Sequence, residues 1–172
     1  MRQPLILHPD STCPAVTGIE VDIVHGSGLL ELHFVVTGAI EQLSLPPPSI
    51  PQRADALWKH SCFEAFVGAS PGYFELNFSP STQWAAYRFE DYRRGMRDAG
   101  IDPPRIATST GPGRFELRAQ VALPVKGLLG LSAVIEEKGG GKSYWALAHP
   151  PGAPDFHHQD CFALELPAAT HI

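Results

Sequence analysis

Apolar and polar residues alternate along most of this chain. In residues 19–25, Ile19, Val21 and Ile23 fall on one side; in residues 29–37, Leu30, Leu32, Phe34 and Val36 share a face opposite Glu31 and His33. A period of two is the mark of a half-buried strand. Gly26-Ser27-Gly28 between the runs supplies the permissive backbone of a tight reversal, so the pair reads as a long hairpin. Residues 46–51 carry four prolines, which cannot donate to a ladder, and read as a stiff connector.

The alternation then resumes. Phe63, Ala65 and Val67 oppose Cys62, Glu64 and Phe66; Phe74, Leu76 and Phe78 oppose Tyr73, Glu75, Asn77 and Ser79; residues 83–89 form the next run. Ser70-Pro71-Gly72 and Ser79-Pro80-Ser81 separate them with turn chemistry. Residues 90–98 show no sheet pattern and predict a helical turn or an ordered loop, and residues 124–130 a single helical turn. Strands are predicted near 105–109, 114–123, 131–137, 143–148 and 160–166, with Gly139-Gly140-Gly141 as a hairpin tip. Roughly ten short strands with frequent turns and no long helical period predict an all-β, antiparallel β-sandwich of immunoglobulin-like or jelly-roll type, with one or two short helical turns. The crossover helices of a doubly wound nucleotide fold are missing.

Composition narrows this further. The 172 residues suit one domain, spanning residues 1–172. Glycine (16) and proline (17) make up about a fifth of the chain against a usual ~12%, which suits strands and turns rather than a helical bundle. A net charge of −5 argues against nucleic-acid binding. No apolar run reaches the roughly 20 residues that span a bilayer, and the start of the chain lacks a leader's apolar core. Cys13, Cys62 and Cys161 lack metal-type spacing and read as reduced thiols of a cytoplasmic protein.

Candidate chemistry concentrates on the central strands. Glu64, Glu75, Asn77 and Arg88 project from segments whose opposite faces are apolar, with Arg53, Asp55, Trp58, Lys59, His60, Trp84, Tyr92 and Arg93 around them. If neighbouring strands pair in order, these side chains share one sheet face. Indole faces stack on the C–H side of a sugar ring, while carboxylates and guanidinium groups bond its hydroxyls. The plain alternative is a solvated exterior with cross-strand ion pairs.

Three runs carry a family resemblance: Leu57-Trp58-Lys59-His60-Ser61-Cys62-Phe63-Glu64-Ala65-Phe66; residues 73–84; and Tyr144-Trp145-Ala146-Leu147-Ala148-His149-Pro150 with Pro154-Asp155-Phe156-His157. The sequence resembles small bacterial DOMON-like proteins, related to family 9 carbohydrate-binding modules, over roughly residues 15–166, specifically at these runs and loosely between them. The resemblance implies a non-catalytic β-sandwich that binds sugars or, in other branches, haem. In sugar-binding members a pair of tryptophans brackets a sugar unit, and a Glu six residues after the first bonds its hydroxyls. Trp58 and Glu64 fit that spacing, with Trp145 as the second plate, Trp84 as its fallback, and Asn77 and Arg88 as polar partners by strand position. No cofactor is implied by this reading; the partner is a small sugar-like molecule.

Two other classes stay open. His149, His157, His158, Asp160 and Cys161 lie within 13 residues of one another, with His60 and Cys62 in a separate run, and point to a metal- or haem-binding redox module as the second class. A protein-interaction module would instead expose an apolar patch around Trp84 and Tyr87. Hydrolysis by Glu64 and Glu75 is disfavoured, because neighbouring arginines are expected to keep both acids ionised.

Overall fold

The structure, a computed structural model, describes residues 1–167 and is built almost wholly of antiparallel strands. In chain order these are β1 (Arg2–Leu7), β2 (Val16–Gly26), β3 (Leu29–Gly38), β4 (Cys62–Gly68), β5 (Tyr73–Phe78), β6 (Trp84–Phe89), β7 (Arg97–Asp98), β8 (Arg105–Gly111), β9 (Arg114–Val121), β10 (Gly127–Glu136), β11 (Lys142–Ala146) and β12 (Leu164–Leu166). They join in the order β7-β6-β5-β4-β10-β11-β1-β2-β3-β9-β8, with β12 beside β10. The all-β, antiparallel expectation holds.

The sheet doubles over at β1, whose first half pairs β2 from Arg2 to Leu5 and whose last residues, Ile6 and Leu7, pair β11. One layer is therefore β2, β3, β9 and β8; the other is β11, β10, β4, β5, β6 and β7. Between them lie the inward residues of both alternations. Phe63 of β4 meets Phe34 of β3 at 5.1 Å and Phe115 of β9 at 5.9 Å between ring centroids, so aromatic packing joins the layers directly.

Several predicted details change. β1 lies where no strand was expected. Residues 127–130 belong to β10, because Gly127, Leu128 and Leu129 pair with β12, so no helical turn forms there. The three short 3-10 turns fall instead at Ile40–Gln42, Leu57–Lys59 and Gln159–Cys161. Residues 90–98 are a loop that ends in β7. No helix of the described residues is long and apolar enough to cross a membrane.

Candidate functional site

The outer face of the second layer is not open to water. Loops around residues 53–60, 90–98 and 148–163 fold over β4, β5, β6 and β11, leaving a cleft of about 520 Å³. Phe66, Tyr87, Phe89, Tyr144 and Phe156 form much of its wall, and Trp58 lines it from the Leu57–Lys59 turn. The turn is launched by Ala56 in a left-handed backbone conformation (φ 59°) and leaves Trp58 half-exposed. On the far side, Gly130 lets the chain at Cys161 and Phe162 lie close. A Cβ there would stand 3.1 Å from the Cys161 carbonyl oxygen and 3.2 Å from the Phe162 ring.

Two acids line this cleft, Glu64 and Glu75, which are 2% and 6% exposed. Strand register explains their meeting. Glu64 lies opposite Asn77 on β5 and opposite Ser132 on β10, while Glu75, two residues from Asn77, shares its face. With its nitrogen turned toward the acids, the Asn77 amide donates to Glu64 Oε1 at 3.1 Å and to Glu75 Oε1 at 3.3 Å; the opposite orientation would aim its oxygen only at acceptors. Ser132 Oγ donates to Glu64 Oε2 at 3.3 Å. Asn77 thus bridges a carboxyl pair from beneath.

Burial governs the charge of that pair. Loss of water, then the neighbouring Glu75 charge, pushes the Glu64 carboxyl well above the ordinary glutamate range. Burial raises Glu75 to about 7, against the opposing pull of the Asn77 bond and the Arg93 charge. The arginines expected to hold both acids ionised are engaged elsewhere. Arg53 donates to the carbonyls of Ala86 and Ala99, at 2.9 and 2.8 Å, and Arg93 pairs with Asp155 at 2.8 Å. Contrary to the expectation from sequence, the arginines do not hold the two acids ionised.

His157 closes the end of the cleft. Its Nδ1 lies 2.7 Å from the Tyr73 hydroxyl, which accepts from the Arg93 backbone N–H at 3.1 Å; with that oxygen already accepting, its own proton is assigned to Nδ1. This assignment puts the ring proton on Nε2, which stands 3.6 Å from Glu75 Oε2. Burial, aided by the Arg93 charge, lowers His157 to about 4, so the ring is neutral near neutral pH.

The residues singled out from sequence separate into two groups. Trp58 and Glu64 line the cleft, and Asn77 lies fully buried under its floor. Arg88 is on the opposite sheet face, over the Phe74 ring at 5.0 Å, and bonds the carbonyls of Tyr73, Pro71 and Phe89. Trp145 points into the interior between the layers, its Nε1 donating to Ser143 Oγ at 2.9 Å, because Tyr144 holds the outward position beside it. Trp84 is likewise inward, under the Arg53 guanidinium at 4.4 Å, while Tyr87 and Phe89 of the same strand face out. Period-two reading of residues 84–89 already separates Trp84 and Arg88 from Tyr87 and Phe89. The coverage by Phe156 and His157 has no comparable signal in the sequence.

The two other candidate patches are also placed. Trp84 and Tyr87 are each 5% exposed and offer no apolar surface patch. His149 Nε2 bonds the Ile6 carbonyl at 2.7 Å and its ring meets His8 edge-on, whereas His158 Nδ1 accepts from the Asp160 N–H. Among the described residues no three His, Cys, Asp or Glu side chains are grouped to hold a metal ion.

No family model matches the chain, and no curated protein matches it. Among solved structures it is similar to a family 9 carbohydrate-binding module from Caldicellulosiruptor kristjanssonii in complex with cellotriose. The TM-score is 0.48 at 14% sequence identity, over 88% of this chain and 74% of that one.

Proposed function

We propose that the chain is a single DOMON-like binding module that takes a carbohydrate-like small molecule into the outer cleft of the β4–β5–β6 face. One observation carries this reading: a cleft of about 520 Å³ in which Trp58 and several other aromatic rings surround two hydrogen-bonding carboxyl groups. Apolar rings with a few convergent polar groups are the usual make-up of a small-molecule site. Trp58 supplies a stacking plate at the rim, and Tyr144 takes the outward position expected for a second indole. Glu64 bonds ligand hydroxyls, and Asn77 positions it from below. An affinity in the micromolar to millimolar range, about −8 to −4 kcal/mol, suits such a site.

A glycan array followed by calorimetry tests the proposal, with Trp58→Ala as the comparison. The exposed indole can be removed without opening the core, so ligand binding is lost while the melting temperature holds. A ligand held equally well by parent and variant would refute the site. Release of reducing ends from a bound glycan, abolished in Glu64→Gln, would replace binding with hydrolysis as the function. The raised carboxyls on one shared amide are the feature that favours that second reading.

A further inference from the structure

The two acids of the cleft face no free cation. Its lining holds Glu64 and Glu75, and, among the described residues, Arg93 and His157 are its only basic side chains. Arg93 is already paired with Asp155 at 2.8 Å, an acid that Tyr92 also bonds. His157 has Nδ1 saturated by Tyr73 and remains neutral. Two nearly buried carboxyls therefore lack a cation of their own. Asn77 and Ser132 satisfy Glu64 on both oxygens, and Asn77 satisfies Glu75 on Oε1. Glu75 Oε2 makes no hydrogen bond among the described residues, and the nearest basic atom, His157 Nε2, is 3.6 Å away. Glu75 is thus a side chain more than nine-tenths buried, with an open acceptor at the wall of an aromatic cleft.

We propose that the ligand of this cleft carries a protonated amine, as an amino sugar does, and that its ammonium is received by Glu75, with Glu64 beside it. An ammonium presents three donors and no acceptor, the complement of a carboxyl pair. Phe66, Tyr87 and Phe89 line the same cleft, and cations are attracted to aromatic ring faces when desolvated. A hydroxyl in the same place would bond Oε2 but would leave the carboxyl pair holding its proton, without the ion pair that an ammonium forms. An anionic sugar would meet two acids with the one guanidinium already engaged. The geometry ranks ligands as cationic, then neutral, then anionic. This inference rests on the reading that the cleft binds a sugar-like molecule.

Proton release gives the site a signature. Among the described residues, the titratable groups around the acids are Cys62 on β4, Tyr73 on β5, Tyr87 on β6, Tyr144 on β11, and Arg93, Asp155 and His157 from the loops. Burial raises the Cys62 thiol and the Tyr73 and Tyr87 phenols; against its burial, Asp155 is held low by Tyr92 and Arg93; Arg93 stays charged, and His157 stays neutral at about pH 6. The proton displaced by an incoming ammonium therefore comes from the carboxyl pair, with Glu75 at about 7 as the donor.

Calorimetry on the intact protein tests this with three probes: a glucosamine trimer, cellotriose of matching length, and a small aliphatic amine without a sugar, n-butylamine. At about pH 6 the glucosamine trimer is expected to bind about tenfold tighter than cellotriose or more. Repetition in buffers of different ionisation enthalpy is expected to show release approaching about one proton with the glucosamine trimer and none with cellotriose. Glu75→Gln is expected to cut the preference to about twofold or less. Should that variant not fold, the proton count on the parent decides alone. Equal or tighter binding of cellotriose overturns the amine inference and leaves the sugar reading standing. Binding of n-butylamine as tight as that of the glucosamine trimer overturns the inference by removing the need for a sugar. Binding of neither trimer overturns both.

Discussion

The two outer faces of the sandwich are made from strands of the same alternating kind, yet they behave oppositely. On the β2–β3–β9 face the outward side chains stand in water as a mesh of ion pairs. Arg2 bonds Asp22 at 2.8 Å, His33 meets Glu116 at 2.9 Å, and Arg114 meets Glu116 at 3.0 Å. Asp22 is held below its ordinary value chiefly by the Arg2 hydrogen bond, and Glu116 chiefly by that of Arg114. On the β4–β5–β6 face the outward positions hold Glu64, Phe66, Glu75, Tyr87 and Phe89, all buried beneath loops. There desolvation dominates, and the acids move upward. A carboxylate on a strand is thus a solvated ornament or a poised group according to what covers it and whether a guanidinium reaches it.

The contrast can be broken most strongly at Phe66. Its ring packs against His157, Phe162 and Tyr73 at 5.0 to 6.2 Å between centroids, so Phe66→Ala is expected to lower stability by about 3–5 kcal/mol in chemical denaturation. A value near zero would mean that the loops do not seal this face. Next comes the bridge: Asn77→Ala strips a donor from both acids and is expected to cost about 1–3 kcal/mol.

Acidity sharpens the same comparison. Glu75 titrates at about 7 in the fold against an ordinary 4.5, so the folded state holds the proton more tightly than the unfolded chain. Its contribution to stability is full below 4.5, declines as pH rises through about 7, and is flat above. Asp22 and Glu116 act in the reverse sense, adding stability above their unfolded values that is lost as pH falls through their lowered ones. Melting temperatures of Glu75→Gln against the parent isolate the first effect: the fall from weakly acidic to neutral pH is expected to flatten in the variant. An unchanged slope would place the titration elsewhere. The smallest effect belongs to the open face, where Val24 is 59% exposed and Val24→Ala is expected to shift stability by less than about 0.5 kcal/mol.

Much of this arrangement is legible in residue order. The β2–β3 hairpin and the side of its strand that each of Glu64, Glu75 and Asn77 takes follow from a strict period of two; the in-order pairing of β4, β5 and β6, a condition of the sequence reading, is met by the fold and puts the three on one face. Polarity is a poorer guide to a residue's face than period. Arg88 looks like a member of the polar face because it is charged, but its position matches Trp84 and Ala86 rather than Tyr87. It is tolerated on the inner side because it lies near the end of β6, where its guanidinium reaches backbone carbonyls. β1 has no clear sequence signal, because a six-residue strand holding Pro4 shows little alternation.

What residue order settled about this protein, then, is local: which segments are strands, where they reverse, and which side chains share a face, since a pleated backbone leaves each side chain only two directions. Which indole reaches solvent, and whether an acid keeps its charge, were left to the folded molecule. Trp145 went inward and Tyr144 outward when β11 joined the second layer, and the acids lost their water when loops distant in sequence closed over them. Desolvation is the joint property of all the atoms around a group, so no spacing along the chain encodes it.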